Sequence, residues 1–341
     1  MKSINVLITC SNIHVKNMID CLKNNYEGTQ VNVYCVNSVE WDLPKEGECD
    51  GAFVVPKVSD ESYFPTLLDL CKKLNVDVVF PVTSIDLDVM ADHKEEFEKH
   101  GIHISVTSSE SMKIANDKIA LHNMFGEYMP KQIVAKDVSE LMRFSDSTNS
   151  SICCKVANMC GGRGFAVVDN EKCVDVNLFH RFGKKHYISF GQLCQIVDKQ
   201  DHKVIVQEYK NGLDYSVSVL ADHGEVTHIC GYVGYVLEFG SMMYAEIKPN
   251  EQAYDIARTI CKKLKIDGNA CFDFILEEDG KVTLLEINPR VNASLNFVSN
   301  AGCNMFYLRC KQLLGYEYEN DQKEINVGFK MKKYFETRYF I

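Results

Sequence analysis

Two acidic residues and an asparagine towards the end of the chain have the spacing of a cation site. Residues 270–288 have the pattern of two apolar strands joined through Asp279–Gly280, a pair favoured in two-residue hairpin turns. Counting outward from that turn pairs Asp273 with Glu286, and the alternation of side chains along a strand puts Asn288 on the same face. Two facing carboxylates repel one another unless a cation lies between them. Two carboxylates and an amide oxygen suit Mg²⁺ that also keeps phosphate ligands, so the pattern predicts a magnesium site.

An exposed hairpin face with two solvated carboxylates is the alternative for this pair, and the pattern alone leaves it open. Arg290 follows Asn288 by two residues. Its guanidinium could clamp a transferring phosphoryl group or a carboxylate.

A lysine and a glycine-rich turn precede the hairpin. Lys155 lies in a segment with the pattern of a strand, where a charged residue is unusual without an anionic partner. Gly161, Gly162 and Gly164 follow, and glycines let backbone N–H groups approach a phosphate closely. The segment is not a Walker loop, because G-x-x-x-x-G-K-[ST] is absent. An ordinary hairpin also explains these residues when they are taken alone.

A third segment combines a strand, a polar stretch and an acid. An apolar run leads into Gln207, Glu208, Tyr209 and Lys210, and Asp214 follows a glycine turn. Polar backbone at a strand edge can recognise an adenine, and a nearby acid can bind ribose hydroxyls. By itself this pattern is generic.

The elements that must position these residues fall into two types. Strands alternate with helices over the first hundred residues, which predicts a parallel sheet with helices on both faces. The predicted elements there are strands at 4–8, 31–36, 77–82 and 102–106 and a helix at 85–97. Thr107 and Glu110 have capping-box spacing and predict a helix that carries Lys118. After about residue 130 the strands pair as antiparallel hairpins, and residues 329–335 have the pattern of a terminal strand docked on the body.

Composition excludes some classes of partner. The formal net charge of -10 argues against a nucleic-acid backbone or an anionic membrane as ligand. No apolar run reaches the roughly 18 residues of a membrane helix. The fifteen cysteines include no C-x-x-C pair, which favours a reducing compartment and so predicts a cytoplasmic protein.

Taken together and in this order, the segments resemble those of an ATP-grasp enzyme. The resemblance spans roughly residues 1 to 310 and is closest to the carbamoyl phosphate synthetase-like carboxylate–amine ligases. Residues 286–290, E-I-N-P-R, carry its most specific part. The resemblance implies an N-terminal parallel α/β (pre-ATP-grasp) domain at 1–110, then a two-lobed ATP-grasp domain with antiparallel sheets at 111–341. The small lobe would span about 130–210 and the large lobe about 211–341.

The resemblance also implies a role for each candidate residue. Lys118 and Lys155 would contact the phosphates of ATP, and Asp214 its ribose. The segment Gly161, Gly162, Arg163 and Gly164 would be a mobile phosphate loop, and residues 207–210 would hold the adenine. Asp273, Glu286 and Asn288 would bind one or two Mg²⁺ ions, with Mn²⁺ as an alternative, and Arg290 would act catalytically on an acyl phosphate.

The implied activity is a ligation that uses ATP. A small-molecule carboxylate would be activated as an acyl phosphate and transferred to an amine, and the protein could be a homodimer. The alternatives are a bicarbonate-using carboxylase or carbamoyl-phosphate-type enzyme, and a non-catalytic nucleotide-binding regulatory protein. One departure concerns the acceptor site, because residues 229–240 lack the basic residue that the family often has there. Lys248 either substitutes for that residue or is an ordinary solvated lysine.

Overall fold

Three β-sheets and the helices on their faces make up the part of the chain that the structure describes. The structure is a computed structural model. The residues it describes are 3–11, 15–84, 86–157, 164–175, 177, 187–199, 201–238, 241–318 and 324–334.

The N-terminal sheet is parallel throughout, in the order β3-β2-β1-β4-β5. Its strands are β1 (Ile4–Thr9), β2 (Val31–Asn37), β3 (Gly51–Val54), β4 (Val78–Pro81) and β5 (His103–Ile104). Its helices are α1 (Val15–Lys23), α2 (Tyr63–Lys73), α3 (Leu87–Asp92) and α4 (Lys94–Glu98). Apolar side chains fill both faces, with Val6 in one core and Leu7 in the other. The predicted parallel α/β architecture is therefore confirmed.

Two details of this region differ from the sequence prediction. The edge strand β3 was not predicted, because its four residues carry only a short alternating pattern. The single helix expected at 85–97 is wrong: the described part forms two helices, since the backbone of His93 leaves helical geometry between them.

A second sheet, in the order β6-β10-β7-β8-β9, is antiparallel except between β8 and β9. Its strands are β6 (Gln132–Ala135), β7 (Ile152–Val156), β8 (Ala166–Val168), β9 (Tyr187–Ile188) and β10 (Val204–Glu208). Helices α7 (Val138–Ser147) and α8 (Phe190–Asp198) share its apolar core. We call this sheet and its helices the small lobe.

The third sheet has six antiparallel strands in the order β15-β14-β11-β12-β13-β16, and with its helices we call it the large lobe. Its strands are β11 (Leu213–Asp222), β12 (Glu225–Glu238), β13 (Ser241–Ile247), β14 (Gly268–Leu276), β15 (Val282–Asn288) and β16 (Lys330–Lys332). Helices α5 (Ser109–Ala115), α6 (Lys118–Phe125) and α9 (Glu251–Leu264) cover one face. Helices α10 (Leu295–Asn300) and α11 (Met305–Leu313) lie in a core shared with the N-terminal sheet. Strand β16 confirms the predicted docking of the tail.

The helix expected to carry Lys118 is in fact two helices. The Ser108 side chain caps α5 by accepting a hydrogen bond from Ser111 N, so the predicted capping box at Thr107 is wrong by one position. Asp117 then caps α6, where its carboxylate accepts from the backbone N–H groups of the next turn. Asn and Asp favour caps over helix interiors, which explains the break. Lys118 consequently lies at the first position of α6 rather than within a longer helix.

The β14–β15 hairpin has the predicted pair but not the predicted turn. Glu277 N donates to Lys281 O at 2.8 Å, and Leu276 pairs with Val282 rather than with residue 283. A β-bulge follows, since Phe274 pairs with Leu284 and Asp273 with Glu286. The turn contains three residues rather than two, which shifts the pairing by one residue. The unpaired Leu285 of the bulge shifts it back by one. Two deviations thus cancel, and the two carboxylates face one another as predicted.

Candidate functional site

The centre of the candidate site is the Asp273–Glu286 pair on β14 and β15. Asp273 Oδ1 accepts a hydrogen bond from Ser216 Oγ at 2.6 Å, and Oδ2 accepts from Asn288 Nδ2 at 2.9 Å. Burial, together with the charge of the neighbouring Glu286 carboxylate, raises the pKa of Asp273 to about 6. The hairpin therefore brings together the three predicted metal ligands and holds one carboxyl in an environment that disfavours its charge.

Positive side chains surround this pair. Lys118 Nζ lies 3.3 Å from Glu286 Oε2, so the start of α6 reaches the hairpin. Arg290 Nη2 donates to Asn288 Oδ1 at 3.2 Å, and Nη1 donates to Val291 O at 3.0 Å. Arg290 Nε is buried and has no hydrogen-bond partner within the described ranges. This N–H group can still donate a hydrogen bond to an anionic oxygen.

The donor set fits a hard divalent cation. Two carboxylates and the oxygen of Asn288 are oxygen ligands of the kind that Mg²⁺ prefers. A cation between Asp273 and Glu286 would remove the repulsion that now raises the pKa of Asp273. The repulsion between the two carboxylates is the structural evidence that the residues fit a metal.

Lys155 faces the same centre from the small lobe. It lies on β7 opposite Ile205 of β10 and is partly buried. Burial lowers the pKa of Lys155, and the charge of Glu286 acts in the opposite direction. Lys155 and Glu286 are thus close enough for their charges to interact across the two lobes.

Only part of the predicted phosphate loop can be placed. Gly161, Gly162 and Arg163 lie outside the described residues. Gly164 has a φ of +71°, and its carbonyl accepts a hydrogen bond from Val156 N at 3.2 Å. Glycine is favoured at that backbone conformation, so Gly164 shapes the end of the turn into β8.

The predicted adenine segment begins at the C-terminal end of β10 and leads along the chain to the large lobe. Gln207 is buried, and its Oε1 has no partner among the described residues. Glu208 lies 3.5 Å from Lys210 Nζ and accepts a hydrogen bond from Thr148 Oγ1 at 3.2 Å. Tyr209 N donates to Ser151 O at 2.7 Å, which holds the segment against the small lobe.

The predicted ribose acid begins the large lobe. Burial raises the pKa of Asp214, which lies on β11 between Gly234 and Ile275. A side chain at Gly212 would place its Cβ 2.3 Å from Leu276 O, so glycine is needed for β11 to enter the sheet at this point. The chain from Gln207 to Asp214 thus crosses from one lobe to the other.

Sequence reasoning missed two polar residues of the large lobe. Ser216 binds Asp273 directly, and its only sequence signal is a hydroxyl two residues beyond Asp214 on the same strand. Asn292 Nδ2 donates to Tyr232 Oη at 2.9 Å and anchors the loop that follows β15.

Lys248, the alternative acceptor-site residue, is exposed, and its backbone is bound by Gly231 and Tyr215.

The carboxyl edge of the N-terminal sheet holds a further polar cluster. Asp86 is fully buried and accepts hydrogen bonds from Thr9 and from Thr83, the latter at 2.8 Å. Burial raises the pKa of Asp86. Asp86 therefore joins the end of β1 to the loop that follows β4.

Two protein-family models match the chain. The model described as PylC-like, N-terminal domain, matches residues 6–105. The model described as ATP-grasp in the biosynthetic pathway with Ter operon matches residues 200–336. The large chain of carbamoyl phosphate synthase from Pseudothermotoga lettingae is 25% identical over 278 residues, which cover 76% of this chain and 24% of that protein. The chain spans about a quarter of the length of the curated relatives it matches.

Solved structures of low sequence identity share the fold. N5-carboxyaminoimidazole synthetase from Staphylococcus aureus has a TM-score of 0.69 at 12% identity, over 95% of this chain and 80% of that one. The biotin carboxylase domain of 2-oxoglutarate carboxylase from Hydrogenobacter thermophilus, solved as a dimer with MgADP, ADP and bicarbonate, has a TM-score of 0.68 at 14% identity. That match covers 97% of this chain and 74% of the other.

The fold is an ATP-grasp fold preceded by a parallel α/β unit. Residues 200–336 match an ATP-grasp family model, residues 6–105 match a PylC-like N-terminal domain, and the chain is similar to carbamoyl phosphate synthase large chains. Within the described ranges, no helix combines the length and the apolar character needed to cross a membrane.

Proposed function

We propose that the protein is an ATP- and Mg²⁺-dependent ligase that activates a carboxylate as an acyl phosphate and transfers it to an amine. The observation that carries the proposal is the opposed Asp273–Glu286 pair, with Asn288 beside it and Lys118 in contact. A nucleotide-binding protein without turnover needs no such pair of repelling carboxylates. The carbamoyl phosphate synthase and ligase relatives support the same chemistry.

In the first step a carboxylate oxygen of the substrate attacks the γ-phosphorus of ATP. The bond from that phosphorus to the bridging oxygen breaks, and ADP leaves. Lys118 and Lys155 would bind phosphate oxygens, so that the charge of the transferring group is neutralised from both lobes. Mg²⁺, which Asp273, Glu286 and Asn288 would hold, supplies further charge neutralisation when bound.

In the second step the amine nitrogen attacks the acyl carbon, phosphate leaves, and the amine loses a proton to solvent. Arg290 is placed beside Asn288, where it would bind oxygens of the acyl phosphate. Residues 207–210 and Asp214 would hold the nucleoside across the two lobes. The loop that contains Gly161, Gly162 and Arg163 would exclude water from the intermediate.

A bicarbonate-using carboxylase is the second candidate. The fold likeness to a biotin carboxylase domain solved with bicarbonate favours it, because bicarbonate is itself activated as a carboxylate. A cytoplasmic location, a homodimer and the use of Mn²⁺ remain predictions, as does the division into domains at about residue 110.

One assay separates these functions. The protein is incubated with ATP, MgCl₂, a pool of small carboxylates and the twenty common L-amino acids, and ADP is measured with each component left out in turn. We expect ADP release that needs both a carboxylate and an amine. Release with bicarbonate alone would favour the carboxylase, and AMP as the product would overturn the acyl-phosphate mechanism.

The matched variant is Glu286→Gln, which keeps the shape of the side chain and removes its charge. We expect the ADP release rate to fall by at least about a hundredfold, as for the loss of a group that stabilises transition-state charge. Glu225→Gln serves as the matched control, since Glu225 is exposed on the large lobe and has no role in the proposed site. Near-normal turnover in the Glu286 variant would refute the metal assignment.

A further inference from the structure

Lys333 in the tail points into the large lobe. Its backbone N donates to Met243 O at 2.8 Å, which continues the pairing of β16 with β13 by one residue. Met331 and Lys333 are partly buried, whereas Lys332 and Tyr334 are exposed. The alternation of a strand therefore turns the Lys333 side chain inward.

The Lys333 ammonium is bound only by neutral oxygens among the described residues. Nζ donates to Ser241 Oγ at 3.0 Å and to the carbonyl of Ala293 at 3.1 Å. Burial lowers the pKa of Lys333 to about 8. A partly buried ammonium in such surroundings gains from an anion more than an exposed one does.

Two other lysines of low exposure have carboxylate partners. Lys311 Nζ lies 2.6 Å from Glu27, and Lys94 Nζ lies 3.2 Å from Asp267. For Lys333, no carboxylate lies within ion-pair distance in the part of the chain that is described. It differs from these structural lysines and resembles Lys155, whose pKa is also lowered by burial.

The position of Lys333 connects it to the candidate site. Ala293 lies in the loop that follows the metal hairpin, three residues after Arg290. Its neighbour Asn292 binds Tyr232, whose hydroxyl lies 3.9 Å from Cys271 Sγ on β14. The same loop thus presents Arg290 and holds Lys333.

Lys333 also lies beside the stretch in which the sequence lacks a basic residue. Ser241, the other group that holds Lys333, is the first residue of β13 and pairs with Glu238 at the end of β12. The segment 229–240, which contains no lysine or arginine, leads to this point. The tail therefore supplies a cation where the preceding strand does not.

We propose that Lys333 binds the carboxylate group of the amine substrate, so that an acceptor of the amino-acid class is oriented with its amine towards the acyl phosphate. This inference rests on the proposed function. The amine must be uncharged to attack, whereas a carboxylate elsewhere on the same molecule can be held by a fixed ammonium.

The kinetic experiment compares wild type with Lys333→Met, Lys333→Arg and the exposed control Lys332→Met. The probes are the L-amino acid that supports the fastest ADP release and its carboxamide, which lacks the anionic group. We expect Lys333→Met to raise KM for the amino acid at least about tenfold, as for a lost charge-assisted hydrogen bond, with KM for ATP unchanged. Lys333→Arg should restore part of the affinity, and the Lys332 variant should behave as wild type.

The carboxamide distinguishes recognition from a structural role. Wild type should prefer the amino acid over its carboxamide, and Lys333→Met should lose that preference. A variant that lowers stability but keeps the preference would overturn the proposal. An equal rise in KM for ATP would also overturn it, because it would indicate a general disturbance of the site.

A measurement without turnover tests Lys333 separately from the proposed function. Wild-type protein is labelled with trace acetic anhydride at pH 8, and acetylation of each lysine is followed by mass spectrometry with MgADP present. Protection of Lys333 by the amino-acid mixture but not by the corresponding carboxamides supports the assignment, even if no ADP release is found with any pool. Protection by inorganic phosphate alone, or no protection by any of these probes, overturns it.

Discussion

Asp267 immediately precedes β14, and Asp273 lies in the second half of that strand; we call these two positions its first and second ends. The surroundings of the two aspartates are opposite, because Asp267 is paired with cations whereas Asp273 faces a second carboxylate. Since both belong to one stretch of seven residues, the comparison shows what the surroundings of each carboxyl contribute.

At the first end, Asp267 joins the large lobe to the N-terminal sheet. Arg309 binds it with both terminal nitrogens at 2.9 and 3.1 Å, and Lys94 adds a contact at 3.2 Å. Arg309 also donates to Ser105 next to β5. Burial by itself would raise the pKa of Asp267, but the charges of Arg309 and Lys94 outweigh it and hold the pKa below its ordinary value.

This neutralisation also explains why a second acidic group is not a metal candidate. Ligand atoms of Asp222, His223 and Asp267 lie within 4.8 Å of one another. Both oxygens of Asp267 are already bound by Arg309, so a cation there would compete with a buried guanidinium.

At the second end, no cation is paired with the aspartate itself. Asp273 has hydrogen bonds from Ser216 and Asn288 and faces Glu286, and among the described residues Lys118 pairs with Glu286 rather than with Asp273. The comparison teaches that burial of a carboxyl does not itself indicate function. A carboxyl that faces a second carboxylate and has no ion-pair partner of its own among the described residues indicates a site for a cation.

The largest expected effect on stability comes from the neutralised end. Asp267→Asn leaves the Arg309 guanidinium without its anion, and we expect the free energy of unfolding to fall by about 3–5 kcal/mol. Urea denaturation measures it. The matched control is Asp20→Asn, which breaks the exposed Lys16–Asp20 pair and should cost less than about 1 kcal/mol. Equal losses in the two variants would show that the Asp267 pair is no more than a surface contact.

A smaller effect of opposite sign is expected at the other end. In EDTA, Asp273→Asn removes the repulsion with Glu286 and should raise the free energy of unfolding by up to about 1 kcal/mol. Addition of MgADP should stabilise wild type and leave the variant nearly unchanged, as followed by thermal unfolding. A variant that is less stable than wild type in EDTA, or stabilised by MgADP to the same extent, would contradict this.

The dependence of stability on pH should have opposite signs at the two ends. The pKa of Asp273 rises from 3.8 to about 6 on folding, so in EDTA the native state retains a proton that the unfolded state loses. Its contribution to stability therefore falls as pH rises from about 4 to 6. Asp267 has a lowered pKa, so its contribution is present above the ordinary value and is lost as pH falls.

Urea titrations of wild type, Asp273→Asn and Asp267→Asn across this pH range measure both slopes. The stability difference between wild type and Asp273→Asn should widen up to pH 6 and then stay constant. The difference between wild type and Asp267→Asn should shrink at low pH. Parallel curves for all three proteins would show that the surroundings of the two aspartates do not differ as described.

Local pattern allowed the facing of Asp273 and Glu286 to be predicted, because strand alternation and a short turn relate the two residues within one segment. The turn was wrong by one residue, since no residue type marks the bulge that compensates for it. The break before Lys118 had a usable signal in Asn116 and Asp117, both of which favour helix ends.

Contacts between distant segments could not be predicted in this way. Lys333 meets a carbonyl forty residues earlier in the chain, and Arg309 meets Asp267 across a separation of 42. No sequence periodicity or motif indicates either contact, because both depend on how whole strands, helices and loops pack against one another. The docking of the tail as a strand followed from its alternation, but the environment of its lysine did not.

The bulge in β15 has a consequence for how the hairpin can change length. If the turn lost or gained one residue, strand pairing from Leu276 onward would shift by one, and every later side chain would change face. A simultaneous change at Leu285 would absorb the shift before it reached Glu286. A change of one residue in the turn that shifts the strand register would therefore keep Asp273 opposite Glu286 only if the bulge at Leu285 changed with it.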